Sequence, residues 1–111
     1  MAEGRVVIVD ADKIVHWESL HDVFAEAFGF PDWYGRNMDA WIDLFSYMDS
    51  DEATTGVVVR PGETLTILLE GGRALDRRAP ELYDAIVECA AFVNWRRIEA
   101  GSTPYLCLAY R

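Results

Sequence analysis

Basic side chains are scarce where the acids are densest, cysteine and histidine occur only twice each, and no long apolar run is present. Each scarcity removes a class of function. Residues 1–52 hold twelve acids against Arg5, Lys13 and Arg36, net −9, whereas residues 53–111 hold seven charges of each sign. A field of that sign repels phosphate backbones, so nucleic-acid binding is not expected and a basic protein partner is. No apolar stretch approaches the roughly 18 residues of a membrane span, and the opening Met1-Ala2-Glu3-Gly4-Arg5 lacks the apolar core of a secretory signal. The expectation is a cytoplasmic protein with no membrane partner. Cys89 and Cys107 then read as two buried thiols instead of a disulfide. His16 and His21, five apart, do not stack on one helix face, and no Cys or His stands at zinc-site spacing, so neither metal nor cofactor is expected. With no repeat or low-complexity tract, the 111 residues, 51% apolar and 13% aromatic, are expected to form one packed domain spanning 1–111.

The patterning predicts an α/β fold. Val6-Val7-Ile8-Val9 is a β-branched run of strand length. From about His16 to Phe28, Trp17, Leu20, Phe24 and Phe28 recur at spacings of three and four, the stripe of an amphipathic helix that Gly29 ends. Phe30-Pro31-Asp32-Trp33-Tyr34-Gly35-Arg36 combines proline, glycine and aromatics and predicts an ordered loop. Asn37 is a good N-cap for a second helix to about Met48, with Met38, Trp41, Phe45 and Met48 as its buried stripe. Val57-Val58-Val59 predicts a short edge strand before Pro61-Gly62, Leu65–Leu69 a second strand, and Ala74–Arg78 a helical turn. Pro80 and Gly101 bracket a long helix with Arg96 and Arg97 in its last turns, where the dipole favours cations, and with Leu82, Ile86, Cys89 and Val93 on its core side. Tyr105–Tyr110 is the last strand. Helices between strands predict a small three-stranded parallel sheet packed by about four helices. Trp17, Trp41 and Trp95, at helical spacing with other apolar residues, are expected in the core, and Trp33 is not.

Asp39 and Asp43 lie four apart and stack on one helix face, where like charges cost a little stability. Three readings are open. The pair is a solvated face, or a negative patch beside Trp33 and Tyr34 for a basic protein, or a set of magnesium ligands or an acid/base pair in a hydrolase, which needs further ligands or a nucleophile. Gly71-Gly72 lacks the Lys-Ser/Thr ending of a phosphate loop and reads as a strand-exit turn.

The run Phe30-Pro31-Asp32-Trp33-Tyr34-Gly35-Arg36-Asn37-Met38-Asp39-Ala40-Trp41-Ile42-Asp43 resembles the signature loop and second helix of the barstar-like ribonuclease inhibitors, and the order of elements is similar over essentially the whole chain. The resemblance implies a non-enzymatic intracellular inhibitor, a monomer until it covers the basic active site of a small, often guanyl-specific, microbial ribonuclease. That target is a secreted enzyme silenced before export, or a toxin domain against which the chain acts as an immunity protein or antitoxin. It further implies that Asp43 occupies a phosphate subsite, that Asp39 pairs with further basic groups, that Trp33 packs over the catalytic surface, and that Gly35 and Asn37 shape the loop, with Tyr34, Ile42 and Ser46 completing the contact set. Ile42 stands at a contact position where the best-known member of the family has an aromatic residue, Arg96 stands where an acidic contact is expected, and the longer segment from Asp49 to Glu63, which follows the binding helix, is expected to reshape the interface edge or touch a different enzyme.

Overall fold

The β-branched run near the N-terminus forms β1 (Gly4–Asp10), the first strand of a three-stranded sheet ordered β1-β2-β3, with β2 at Thr64–Glu70 and β3 at Leu106–Tyr110. These positions come from a computed structural model that describes residues 4–111; Met1, Ala2 and Glu3, part of the stretch read for a secretory signal, lie outside the described residues. Both pairings are parallel, with Ile67 opposite Val7 on one side and Leu108 on the other. Parallel neighbours need a crossover, and helices supply it. They are α1 (Trp17–Phe28), α2 (Met38–Ser46), α3 (Gly72–Arg78) and α4 (Pro80–Glu99), with a 3-10 turn at Ala11–Lys13. The α/β class, the parallel sheet and the four helices agree with the sequence pattern.

Val9, Leu65, Ile67, Leu69 and Leu106 point into one core with Leu20, Phe24 and Phe28 of α1, Trp41 and Phe45 of α2, and Leu82, Ile86, Ala90 and Val93 of α4. On the opposite face of the sheet Val6, Ile8 and Cys107 are exposed. The expectation of two buried thiols is therefore corrected: Cys107 alternates onto that open face and Cys89 is half-buried. Two tryptophans expected in the core are also outside it. Trp17 begins α1, where its turn is free, and Trp95 lies off the stripe Leu82, Ile86, Ala90, Val93 and Arg97 that α4 buries.

Val57–Val59 is not a strand. Its N–H groups find helix-end carbonyls instead, Val57 bonding to Phe28 at 3.2 Å and Val59 to Met48 at 2.9 Å. Gly56 makes this docking possible. Its N–H reaches the carbonyls of Phe28 and Gly29, and a Cβ on Gly29, which turns at φ +63°, would come within 2.8 Å of the Gly56 backbone. Two glycines in contact thus clamp the 49–63 segment onto the end of α1.

Arg97 joins three elements at the other end. Buried in α4, it grips Asp49 with two nitrogens at 2.9 and 2.7 Å, donates to the carbonyls of Ser46 and Thr103, and lies 3.7 Å over the Tyr105 ring. The Tyr105 hydroxyl in turn donates to the Phe45 carbonyl and accepts from the Met48 N–H. The end of α2, the end of α4 and the entry to β3 are therefore held by one polar network.

Candidate functional site

The Phe30–Arg36 loop is rigid because its aromatics divide between inside and outside. Phe30 packs on Tyr34 with ring centres 4.7 Å apart and on Phe45 at 5.7 Å, and Tyr34 is buried with its hydroxyl 2.6 Å from His21 Nδ1. Burial, with the nearby Arg36 cation, holds the His21 ring below its ordinary value, and burial pushes the Tyr34 phenol up. Both groups are therefore neutral near pH 7. Arg36 sits at φ +55°, a conformation costing about 1 kcal/mol for an L residue, and is tied to α1 by Asp22 at 2.8 Å and the Glu18 carbonyl at 3.1 Å. With Tyr34 and Arg36 anchored, Trp33 is left outside, 69% exposed.

Asn37 caps α2 by accepting from the Ala40 N–H at 2.8 Å and also donates to the Gly35 carbonyl, so one side chain fixes the loop's exit and the helix start. From that start Asp39 and Asp43 stand exposed, with Ile42 half-buried beside them. Trp33, Tyr34, Gly35, Asp43 and Tyr47 border a cleft of about 520 Å³, which Ser50, Glu52, Ala53 and Thr54 of the clamped segment also line. A second groove of about 390 Å³ lies across α2 and α4, lined by Asp39, Ile42, Asp43, Phe92, Trp95 and Arg96.

The structure thus brings Trp33, Gly35, Asn37, Asp39, Ile42 and Asp43 to one surface, with Tyr34 mostly buried but still lining the cleft and Ser46 beneath it. Tyr34 presents little side chain to solvent, and Ser46 is buried with its hydroxyl donating to the Ile42 carbonyl at 2.6 Å. Both support the surface from beneath. Four residues that the sequence did not mark line it as well, Tyr47, Glu52, Phe92 and Trp95, and Arg96, which the resemblance did mark, stands beside the last two. Tyr47 was hidden because the pattern runs the helix to about Met48, whereas α2 ends at Ser46 and Tyr47 is its C-cap.

Arg96 pairs with Asp43, its Nη1 2.5 Å from Oδ1, and lies 5.8 Å over the Tyr47 ring. The carboxylate expected to be the central anchor therefore has an internal counter-ion. Asp39 makes no ion pair among the described residues. No group of three or more His, Cys, Asp or Glu converges among the described residues, so the two aspartates have no third ligand of those types. Burial, then Glu88 and Asp39, pushes the Cys89 thiol up, away from nucleophile chemistry. No described helix is long and apolar enough to cross a membrane.

Comparison with known proteins points one way. The profile of the family described as Barstar (barnase inhibitor) matches residues 4–102. A Bacillus subtilis (strain 168) protein named "Putative ribonuclease inhibitor YrdF" is 40% identical over 47 residues, covering 36% of this chain and 52% of that protein. The chain spans about half the length of the curated relative it matches.

Proposed function

Because the chain belongs to the Barstar (barnase inhibitor) family, we propose that it is a non-enzymatic inhibitor that binds the basic active site of a small microbial ribonuclease and blocks it. The observation that carries this reading is the surface made by Trp33, Asp39, Ile42 and Asp43 around the two depressions on α2, within the family-matched residues. An exposed tryptophan on an anchored loop loses little conformational entropy on binding, and carboxylates on a helix can form charge-assisted bonds to cations that otherwise hold RNA phosphates. Gly35 and Asn37 set the loop's shape, while Tyr34 and Ser46 act from below.

In this reading the inhibitor works in the cytoplasm as a monomer, uses no cofactor, and meets a guanyl-specific enzyme made by the same cell or a toxin domain against which it confers immunity. The test is a titration of the purified protein into small guanyl-specific ribonucleases cleaving a fluorogenic RNA, with Asp39→Ala and Asp43→Ala in parallel. Stoichiometric inhibition by the wild type, weakened in both variants, is expected. Full turnover at excess wild-type protein in every enzyme would overturn the reading.

A further inference from the structure

Arg96 occupies a position that makes the acidic face something other than a plain anion. Both depressions, the one bordered by Trp33 and the one bordered by Trp95, include Asp43 and Arg96 in their lining. The ion pair is therefore the ridge between them, and a partner that covers both must sit on it. The pair is open to such a partner, with side chains 59% exposed at Asp43 and 38% at Arg96. Contact is end-on, one nitrogen to one oxygen, and among the described residues no other hydrogen bond reaches the Asp43 carboxylate. Oδ2 is thus free to accept, and a guanidinium with five N–H donors keeps most of them unspent.

We propose that Arg96 is a specificity-determining residue, selecting ribonucleases whose cleft sets a carboxylate beside its phosphate-binding cations. This rests on the inhibitor reading above and names the chemistry of its target. A cleft lined only by cations gains little from the ridge, since attraction to Asp43 is offset by repulsion from Arg96 a hydrogen bond away. A cleft offering both signs gains twice: its cation takes Asp43 Oδ2 while its carboxylate takes the remaining Arg96 donors. An enzyme that cleaves RNA by general acid–base chemistry has reason to hold such a carboxylate, as the base that removes a hydroxyl proton next to the phosphate. Asp39, which has no counter-ion, serves the purely cationic part of the same cleft. Phe92 and Trp95, their rings tilted with centres 5.4 Å apart, line the same groove as Arg96 and shield the new contact from water.

The experiment is a cycle read by equilibrium binding, because one enzyme arm is inactive. Wild type, Arg96→Ala and Asp39→Ala are each titrated with a guanyl-specific ribonuclease that uses a carboxylate base, and with its carboxylate-to-carboxamide variant. Arg96→Ala should weaken binding to the intact enzyme by about tenfold or more and to the carboxamide enzyme by less than about threefold. Asp39→Ala should weaken both alike. Unchanged or tighter binding of Arg96→Ala to the intact enzyme, or an equal loss in both arms, would overturn the role given to Arg96 while leaving the inhibitor reading standing. Wild-type protein that binds neither enzyme overturns the selectivity given to Arg96, since the intact enzyme offers both charges, while the inhibitor reading stands or falls on the panel titration above. Matching thermal unfolding of the three proteins keeps a folding defect from imitating either result.

Discussion

Asp39 and Asp43 share a helix face and a charge but not their company. Asp43 has Arg96 at 2.5 Å, whereas Asp39 has no counter-ion among the described residues, so a partner's cation meets Asp39 without displacing anything. Asp39→Ala should accordingly cost ribonuclease binding about 2 kcal/mol or more, the range of a central anchor. Glu63→Ala, in the turn that closes the clamped segment, where the Glu63 carboxylate accepts from the Arg60 N–H, should change binding by less than about 0.5 kcal/mol. Equal effects in a competition titration would mean that overall charge, and not placement, governs binding. The sequence located these carboxylates because four-residue spacing fixes a helix face. It did not show that Arg96 would reach one of them, because that contact spans 53 positions and depends on how α2 and α4 pack. How little of Tyr34 stays open was illegible for a related reason: a loop aromatic carries no mark of which way it turns, and here its hydroxyl turns inward to His21 while the residue still borders the cleft.

Elements convert such single contacts into shape. The loop before α2 keeps its form through the buried His21–Tyr34 pair, and His21 sits below the ordinary 6.5 because burial, then Arg36, disfavours its cation. A depressed base binds fewer protons folded than unfolded. Its contribution to stability is therefore complete above about pH 6.5 and is lost as pH falls through the lowered folded value. Urea midpoints for the wild type should drop between about pH 7.5 and about pH 5 by more than those of His21→Gln, which cannot charge; equal drops would put the acid sensitivity elsewhere. In the last turns of α4 two neighbouring arginines, both read as last-turn cations from sequence, separate by one residue's rotation about the helix. Arg96 faces the site, while Arg97 is buried on Asp49, whose carboxyl it holds below the usual range by hydrogen bonding. Arg97→Ala should lose about 3 kcal/mol of stability by leaving carbonyls and a carboxylate unpaired, and Arg96→Ala less than about 1 kcal/mol, both read from urea unfolding. Strands β1, β2 and β3 and helices α1, α2 and α4 were legible because periodicity and caps agree in each. Val57–Val59 was not, since a valine run has strand composition whether its amides meet a sheet or, as here, helix ends.

At the scale of the molecule, seven of the twelve acids of residues 1–52 lie in β1, α1, the aromatic loop and α2, and three more, Asp49, Asp51 and Glu52, follow α2 in the segment that borders the cleft, while α3, α4 and β3 come from the neutral half. That placement gives the protein a directed field, and a directed field acts on encounter before any contact forms. Association with a basic ribonuclease should therefore slow steeply as ionic strength rises, because the Debye length contracts from about 30 Å at 0.01 M to about 8 Å at 0.15 M, while dissociation, set by contacts within the interface, changes much less. Glu52 offers a finer test. It borders the cleft but makes no ion pair among the described residues, so Glu52→Gln should lower the association rate and its salt slope with little change in dissociation. Stopped-flow rates at several salt concentrations separate the two effects. An association rate indifferent to salt would mean that the concentration of acids in this half serves solubility alone, and would remove long-range attraction from the account of how the partner is found.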